Sequence, residues 1–445
     1  MAFQRNVVRK GGAGYEHNRR FTAFSDRVPS KYPEAIVTCR DENDVVAAVK
    51  IANDEGLQIS VRSGGHHWNA NHLRDGVVLI DMHNMSDYGV DVEANTAWAQ
   101  PGLRGSDLNK ALLEVDRFFP TGHCTDVCIG GYLLQGGVGW DNHRYGPACG
   151  SVFAVDVVTA DGQLVHATDD NEYADLLWAA RGAGAGFFGV VTKYYINLYP
   201  RRLAINSLYL FPSDCQVDVY RFAQQVGPDT PTEINMLTFW NTELDKNGPV
   251  VAMNAMAHTD TEEQAAELLK IYDDNPVLDK ALVVKRNELT SLSETSSTGV
   301  DVHYMEQHRY AGDCIWTNAS LDDTGPIFQE IGKTMTGQSH IMYTNFGSNT
   351  PAERVPMAFS GDDLQYYGIY AVWEDPAQDE DRRAWLLSHM KKLEPFSTGI
   401  ALADENLENR WTKFMSDENF ARLDELRAKY DPNGRFVQWL GRPGT

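Results

Sequence analysis

Two glycine-rich segments constrain the fold of this 445-residue chain more than any other feature of its sequence. They are Val61-Arg62-Ser63-Gly64-Gly65-His66-His67 and the longer stretch 122–150. Consecutive glycines let main-chain N–H groups approach an anion, because no Cβ atom blocks the way. We therefore expect both turns to bind a cofactor that carries a diphosphate. Arg62 is a candidate phosphate partner, and a surface arginine at the end of a strand explains it equally well.

A third glycine segment has the spacing of the dinucleotide-binding fingerprint but the wrong neighbours. It is Gly184-Ala185-Gly186-Phe187-Phe188-Gly189. That fingerprint needs a strand before it and a helix after it, so that a pyrophosphate lies at the helix N-terminus. Here a helical pattern over 173–181 comes first and a strand-like run over 190–197 follows. We therefore reject a Rossmann domain.

Hydrophobic patterns predict two differently built parts. In the first 200 residues, a helix ended by Gly56 and strands over 59–61 and 77–82 flank the first glycine turn, a helix covers 106–116, and 155–159 pairs with 164–167 as a hairpin. From 201 to 400, strands over 203–210, 235–240, 250–257 and 366–373 alternate with helices over 216–225, 261–272 and 381–393. We interpret this part as an antiparallel sheet covered by helices. A last helix over 418–435 ends in Tyr430-Asp431-Pro432-Asn433-Gly434.

The charge balance excludes two classes of partner. The chain has 62 acidic and 39 basic side chains and a net charge of −23, which repels nucleic-acid phosphates and anionic lipid headgroups. The sequence contains no apolar run of about 18 residues, and residues 1–31 contain no apolar leader segment. We expect a cytoplasmic protein whose six cysteines are free thiols or cofactor ligands. No pattern specifies an oligomeric state.

Histidines and cysteines in the glycine turns have three explanations. His66, His67, His72, Cys124 and Cys128 are loop and packing residues, zinc ligands, or attachment points for a cofactor. Spacing disfavours zinc, since neither C-x-x-C nor H-E-x-x-H occurs, and adjacent histidines on an extended chain point apart. We therefore predict no metal site.

Several short segments occur in one order along most of the chain. They are 32–37, Arg62-Ser63-Gly64-Gly65-His66, Gly122-His123-Cys124, Tyr145-Gly146, 158–162, 177–182 with 188–192, and Tyr430-Asp431-Pro432-Asn433. Together they resemble the berberine bridge enzyme-like flavoproteins of the vanillyl alcohol oxidase superfamily. The resemblance implies an α+β fold of two domains. Residues 1–200 and 411–445 would form an FAD-binding domain, and residues 201–410 a substrate domain whose antiparallel sheet, covered by helices, forms the active-site floor.

The resemblance also implies FAD bound covalently at two points. His66 takes the place of the histidine that bonds the flavin 8α-methyl carbon, and Cys124 that of the cysteine that bonds ring carbon 6. A thiolate and a neutral imidazole are the nucleophiles able to add to an electron-poor ring. Cys128 is expected to be a packing residue. The other cofactor-binding residues that the resemblance implies are Arg62, Ser63, Gly64, Gly65, Val127, Gly130, Gly131, Gly137, Val190 and Asn433.

Two departures from the family pattern concern the chemistry. Tyr132 stands where many relatives have a histidine near the flavin pyrimidine. The tyrosine motif expected near 399–407 is replaced by Gly399-Ile400-Ala401-Leu402-Ala403-Asp404-Glu405. We therefore expect the catalytic base on the strand 366–373.

Alternation along that strand selects the candidates for the base. Aligned on Trp373, even-numbered side chains face the flavin, which predicts Tyr366 and Tyr370 as catalytic residues and turns Tyr367 and Ile369 toward the helices. Gly368 is expected to leave room for substrate. If neither tyrosine is the base, the remaining candidates are Asp404, Glu405, His303, His308 and His340.

The leading functional hypothesis is an FAD-dependent oxidase. Its small-molecule substrate, an alcohol, a sugar or a secondary metabolite, would give a hydride from a carbon bearing OH or NH to flavin N5, and dioxygen would restore the flavin with release of hydrogen peroxide. Val127 favours dioxygen, because relatives that use it tend to have valine three residues after the anchoring cysteine. The alternatives are a dehydrogenase of the same fold that uses another acceptor, and a catalytically silent flavin- or metal-binding protein.

Overall fold

The computed structural model describes residues 6–291, 308–345, 354–361 and 365–444. The chain begins with the strands β1 (Val7–Arg9), β2 (Ala35–Thr38), β3 (Gln58–Arg62) and β4 (Val77–Asp81) and the helices α1 (Tyr15–Phe21) and α2 (Glu42–Glu55). The strands form one sheet in the order β1-β2-β4-β3, in which β4 runs parallel to both β2 and β3. The first glycine turn therefore follows directly from the end of β3.

Helix α2 forms where the sequence predicts it because both of its ends are capped. The Asp41 side chain accepts a hydrogen bond from the N–H of Asp44 at 3.0 Å, and Gly56 ends the helix at a φ of 67°. Val45 and Val49 are fully buried and pack against the first sheet.

The second sheet is antiparallel, and the second glycine turn lies between two of its strands in the sequence. Its strands are β5 (Tyr88–Asp91), β6 (Thr96–Ala99), β8 (Val152–Thr159), β9 (Leu164–Thr168) and β10 (Gly189–Asn197). Their order is β5-β6-β10-β8-β9, and β8 and β9 form the predicted hairpin. A short pair, β7 (Arg117–Phe118) and β11 (Tyr199–Pro200), stands apart. The helices are α3 (Gly105–Leu113), α4 (Ile129–Leu134), α5 (Asn142–Tyr145) and α6 (Ala174–Ala180). Since α6 precedes the segment 184–189 and β10 follows it, the rejection of a Rossmann fingerprint is confirmed.

The third sheet has seven strands, all of them from residues 203–373. They are β12 (Leu203–Phe211), β13 (Glu233–Phe239), β14 (Val250–Thr259), β15 (Val283–Thr290), β16 (Arg309–Thr317), β17 (His340–Thr344) and β18 (Gln365–Trp373). Every pairing is antiparallel, in the order β15-β12-β14-β13-β17-β18-β16. The helices of this part are α7 (Gln216–Val226), α8 (Glu262–Leu269), α9 (Leu321–Thr334) and α10 (Asp379–Leu393).

One face of this third sheet is covered by helices. Tyr220 of α7, Phe328 of α9 and Leu386 of α10 are buried in one apolar cluster with Tyr367 and Ile369 of β18. The antiparallel sheet covered by helices is the arrangement that the sequence predicts for this part.

The C-terminal stretch returns to the first sheet. After α11 (Asp417–Tyr430), the backbone pairs with β3: the N–H of Ile59 donates to the carbonyl of Arg435 at 2.7 Å, and that of Val437 to the carbonyl of Ile59 at 3.0 Å. Phe436 is buried beside α2. The domain boundaries at 200/201 and 410/411 stay predictions.

None of the helices within the described ranges combines the length and the apolar character needed to cross a membrane.

Candidate active site

A cavity lies between the two glycine turns and the face of the third sheet opposite its helices. Its volume of about 320 Å³ falls in the range of sites for small molecules and cofactors. Most of the residues predicted to bind cofactor or to catalyse line it: Arg62, Ser63, Gly64, Gly65, His66, Cys124, Val127, Gly130, Gly131, Gly137, Tyr366 and Tyr370. The fold therefore brings side chains from both glycine turns and from β18 to one place.

The two glycine turns contact each other directly. A Cβ atom on Gly64 would lie 2.7 Å from the sulfur of Cys128, and one on Gly130 would overlap the hydroxyl of Ser63. Both positions therefore require glycine for the turns to meet. An added Cβ on Gly131 would meet nothing within 4 Å, and open main chain of this kind suits the close approach of a diphosphate.

The guanidinium of Arg62 is bonded to protein groups. It donates to Oδ1 of Asp81 at 2.8 Å, to the carbonyl of Thr22 at 3.2 Å and to the carbonyl of Gly64 at 2.8 Å, and the residue is buried. These bonds hold the first glycine turn in shape. A phosphate contact by Arg62, which also lines the cavity, stays a prediction.

Both predicted flavin anchors have defined surroundings. The Nε2 atom of His66 lies 3.0 Å from Oδ1 of Asp126, and its ring stacks on Phe24. Cys124 packs against an aromatic cluster that includes Trp68 and Tyr370. Covalent bonding at these two residues stays a prediction.

Cys128 has the surroundings expected of a packing residue. Its thiol is buried and donates to the carbonyl of Gly102 at 3.2 Å. Burial raises the pKa of this thiol to about 11, which disfavours the thiolate that nucleophilic attack requires.

Two of the predicted cofactor-binding residues do not line the cavity. Val190 is fully buried in the core between α2 and the first sheet, because alternation along β10 turns its neighbours Gly189 and Val191 to the cavity instead. Asn433 is exposed in the turn after α11. In that turn the Asp431 carboxylate accepts the N–H groups of residues 435 and 436, so the segment guides the chain back to the first sheet.

A chain of hydrogen bonds connects Tyr370 to a buried carboxyl group. The hydroxyl oxygens of Tyr370 and Tyr366 are 3.1 Å apart. Tyr366 donates to Oδ2 of Asp404 at 2.5 Å, and the indole N–H of Trp68 donates to Oδ1 of Asp404 at 2.5 Å. Either hydroxyl can be the donor in the contact between the two tyrosines. The Tyr370 hydroxyl also forms a hydrogen bond with the Asp404 carboxyl group, so both tyrosines contact this group.

Burial shifts the pKa values of the groups in this chain of hydrogen bonds. It raises the pKa of the Asp404 carboxyl, although the bonds from Tyr366 and Trp68 counteract the rise. Burial and the nearby Asp404 carboxylate raise the pKa of Tyr366 well above its ordinary value. Both shifts favour the protonated form of the group concerned.

Gly368 lies directly beneath the two tyrosine hydroxyls. An added Cβ would be 2.6 Å from the hydroxyl of Tyr370 and 2.8 Å from that of Tyr366. The space above this glycine is therefore filled by the tyrosines, and the expectation that it is left for substrate is wrong.

Glu405 forms a second buried acidic group at the cavity. Its side chain accepts hydrogen bonds from the Asn71 amide and from the N–H of Leu407, and His67 lies 3.6 Å away. Burial raises the pKa of Glu405 to about 7, and burial lowers that of His67 to about 3. Between about pH 4 and pH 6 both groups are therefore largely uncharged.

Sequence reasoning missed two charged residues at the site. Arg74 lines the cavity, and its guanidinium donates to the carbonyls of Asn71 at 2.7 Å and Gln438 at 3.1 Å, so it brings a positive charge to the cavity wall. Its position before a turn did not indicate that it would line the cavity. Asp126 contacts His66, and its position two residues after Cys124 was a signal that could have been used.

The other candidates for the base lie farther from the hydrogen-bonded chain. His340 stacks on the ring of Tyr370, with centroids 4.9 Å apart, and its Nδ1–H donates to the carbonyl of Gln338 at 2.9 Å. His308 lies 3.3 Å from Glu374. His303 lies outside the described residues. Across the part of the chain that the structure describes, no three His, Cys, Asp or Glu side chains are arranged to hold a metal ion.

Comparison with known proteins identifies the family. Residues 33–168 match the FAD binding domain family. Over 421 residues the chain is 30% identical to the FAD-linked oxidoreductase nodO of Hypoxylon pulicicidum. The alignment covers 94% of this chain and 93% of that relative.

Solved structures share the fold over nearly the whole chain. BBE-like 1 of Physcomitrella patens superposes with a TM-score of 0.82 at 19% identity, over 98% of this chain and 97% of that chain. Wild-type Phl p 4.0202, described as a glucose dehydrogenase, gives a TM-score of 0.82 at 21% identity, over 98% and 96%. A Phl p 4 variant with valine in place of isoleucine, described as a glucose oxidase, gives the same values.

The fold, the paired glycine turns and the similarity along the chain agree with one another. The architecture is the two-domain α+β fold of the vanillyl alcohol oxidase superfamily, and the cofactor is FAD. The chain belongs to the FAD-linked oxidoreductases and has the fold of the berberine bridge enzyme-like proteins.

Proposed function

We propose that the protein is an FAD-dependent oxidase that removes a hydride from a carbon bearing OH or NH in an alcohol, a sugar or a secondary metabolite. The observation that carries the proposal is the hydrogen-bonded chain Tyr370, Tyr366, Asp404, which lines the same cavity as the two anchors His66 and Cys124. When bound, FAD supplies the redox chemistry by accepting the hydride and passing the electrons to dioxygen, which leaves as hydrogen peroxide.

The residues present fit FAD. The two glycine turns offer main chain without Cβ atoms, Arg74 offers a positive charge, and His66 and Cys124 offer one imidazole and one thiol on the cavity wall. We propose that both side chains bond the flavin. Two covalent bonds would hold the ring in place without a closed pocket, and the cavity mouth would then be free to admit a bulky substrate.

The hydrogen-bonded chain is suited to accept the substrate's proton. Tyr370 would accept the hydrogen of the substrate OH or NH, while its own proton moves to Tyr366 and that of Tyr366 moves to Asp404. Both tyrosines stay neutral before and after the transfer, so no phenolate forms beside a carboxylate. Burial makes Asp404 a stronger base than an exposed aspartate. We therefore propose Tyr366 and Tyr370 as relay residues and Asp404 as the final proton acceptor.

Val127 favours dioxygen as the electron acceptor. Its side chain lines the cavity close to the second glycine turn, and protein interiors leave few voids that can hold a diatomic molecule. Among the structural relatives, wild-type Phl p 4.0202 is described as a glucose dehydrogenase, whereas the Phl p 4 variant with valine in place of isoleucine is described as a glucose oxidase. A dehydrogenase that uses another acceptor is the second candidate.

The test is a turnover screen over alcohols, sugars and phenolic compounds. Each compound is mixed anaerobically with the purified yellow protein, and bleaching of the flavin band is recorded. Oxygen is then admitted, and hydrogen peroxide is measured. We expect bleaching by at least one compound and equimolar peroxide afterwards. Bleaching without peroxide supports the dehydrogenase, and a screen without bleaching argues against an enzyme acting on these classes.

A further inference from the structure

Asp126 lies beside His66, in the same turn as Cys124. Its Oδ1 atom is 3.0 Å from Nε2 of His66, and the two side chains are 29% and 14% exposed. One short segment therefore carries both the thiol of one anchor and a carboxylate bonded to the other anchor.

Two aromatic rings fix the orientation of His66. Phe24 stacks on the imidazole with centroids 4.2 Å apart and planes 24° apart. Trp68 contacts it edge-on at 5.3 Å. Asp126 occupies Nε2, which leaves Nδ1 as the other ring nitrogen. Within the described ranges, Nδ1 forms no hydrogen bond with a protein group.

The carboxylate determines where the imidazole carries its hydrogen. A carboxylate accepts and does not donate, so the neutral ring keeps its hydrogen on Nε2 and its lone pair on Nδ1. Burial alone would raise the pKa of Asp126, but the hydrogen bond and charge of His66 outweigh burial and lower it. Within the described ranges, no lysine or arginine is close enough to form an ion pair with Asp126, so its charge acts mainly on His66.

We infer that Asp126 is a positioning residue for attachment of the flavin to His66, which keeps Nδ1 free to bond and stabilises the positive charge that the bond creates. The inference rests on the proposed covalent linkage. In that step Nδ1 bonds the 8α carbon in place of one C–H bond, whose proton goes to solvent. The two electrons left on the ring reduce dioxygen, which takes up two protons and leaves as hydrogen peroxide.

A purely structural role for Asp126 predicts a different pattern. If the carboxylate only shaped the turn 122–131, its loss would disturb both anchors alike, since Cys124 belongs to the same turn. If it acts through His66, only the histidine bond should suffer. The two roles are therefore separated by measuring each bond alone.

The experiment introduces Asp126→Asn into two full-length backgrounds. Cys124→Ala leaves only the His66 bond, and His66→Ala leaves only the Cys124 bond. Protein produced under flavin limitation is incubated with FAD, and covalent flavin is followed over time by acid precipitation and by fluorescence of the denatured chain. Total flavin bound before precipitation controls for folding. We expect Asp126→Asn to slow formation of the His66 bond roughly 10- to 100-fold and to change the rate at Cys124 less than about twofold.

Three results would overturn the inference, and they are distinguishable. Equal rates with and without Asp126→Asn in the Cys124→Ala background would exclude a role at His66. Equal slowing in both backgrounds would make Asp126 a structural residue. A wild-type protein that releases all its flavin in acid would instead overturn the proposed covalent linkage itself.

Discussion

At Asp404 two opposing effects act on one carboxyl group. Burial favours the protonated form, whereas the hydrogen bonds from Tyr366 and Trp68 favour the carboxylate. The outcome is a raised pKa, which makes the group a better proton acceptor while it is ionised. Asp404 lies in the segment that replaces the family's tyrosine motif. The sequence alone therefore favoured the tyrosines of β18 as the catalytic base.

Asp404→Asn should slow flavin reduction by substrate roughly 10²- to 10⁴-fold, because the relay loses its final acceptor. Tyr370→Phe should slow it by a similar factor, since the hydroxyl that meets the substrate is gone. Anaerobic stopped-flow spectroscopy measures both. Tyr367→Phe is the matched control, because Tyr367 lies on the same strand and packs against the helices. Normal rates in Asp404→Asn would exclude the relay.

The pH dependence of the reaction follows from the same carboxyl group. Asp404 must be ionised to accept a proton, so kcat/KM should fall as the pH falls through its pKa. Because burial raises that pKa, the loss should begin at a higher pH than for an ordinary aspartate, whose pKa is about 3.9. In Asp404→Asn this limb of the profile should be absent.

Val127→Ile should slow reoxidation of the reduced flavin by dioxygen and leave its reduction by substrate nearly unchanged. The added methylene fills space beside the cavity wall, where voids large enough for a diatomic molecule are few. Stopped-flow mixing of the reduced protein with oxygenated buffer measures the effect. Equal reoxidation rates in both proteins would show that Val127 does not control the reaction of the reduced flavin with dioxygen.

At the scale of elements, β18 shows what alternation predicts and what it leaves out. The period of two correctly separates Tyr366 and Tyr370 at the cavity from Tyr367 and Ile369 in the helix-covered core. It does not predict that the two hydroxyls converge over Gly368, because that contact depends on side-chain rotamers. Nor did the pattern predict β15 and β16: the first is a largely exposed strand with charged residues, and the second contains Gly312 and Asp313.

Gly368→Ala should disrupt the relay without unfolding the strand. The new methyl group would lie 2.6 Å from the Tyr370 hydroxyl and 2.8 Å from that of Tyr366, so at least one hydroxyl must move. We expect flavin reduction to slow roughly tenfold or more, by loss of an aligned proton path, while covalent flavin content stays at the wild-type level. A variant with normal reduction kinetics would show that the contact is not needed.

At the scale of the whole molecule, the site depends on contacts between distant parts of the chain. Trp68 bonds Asp404 across 336 positions, and Tyr366 bonds Asp404 across 38. The family resemblance predicted which segments meet at the flavin. It could not predict the contacts of Asp404 or Asp126, because only tertiary packing reveals their partners.

Glu405 should make stability fall as the pH rises. Its pKa is about 7 in the folded protein and about 4.3 in an unfolded chain. Between these values the folded state holds a proton that the unfolded state has lost, so the free energy of unfolding declines across this window. Relative to Glu405→Gln, the wild-type protein should lose about 3 kcal/mol between pH 4 and pH 8. Denaturant unfolding of both proteins at the two pH values measures this, and a constant difference between them would contradict it.

The most direct measurement is peptide mapping of the wild-type protein after digestion with trypsin. His66 lies in the expected peptide 63–74 and Cys124 in the expected peptide 118–144. If both residues bond the flavin, mass spectrometry should find the two peptides joined through one yellow flavin, with neither in its free form. Two unmodified peptides, with all the flavin in the acid supernatant, would contradict the account.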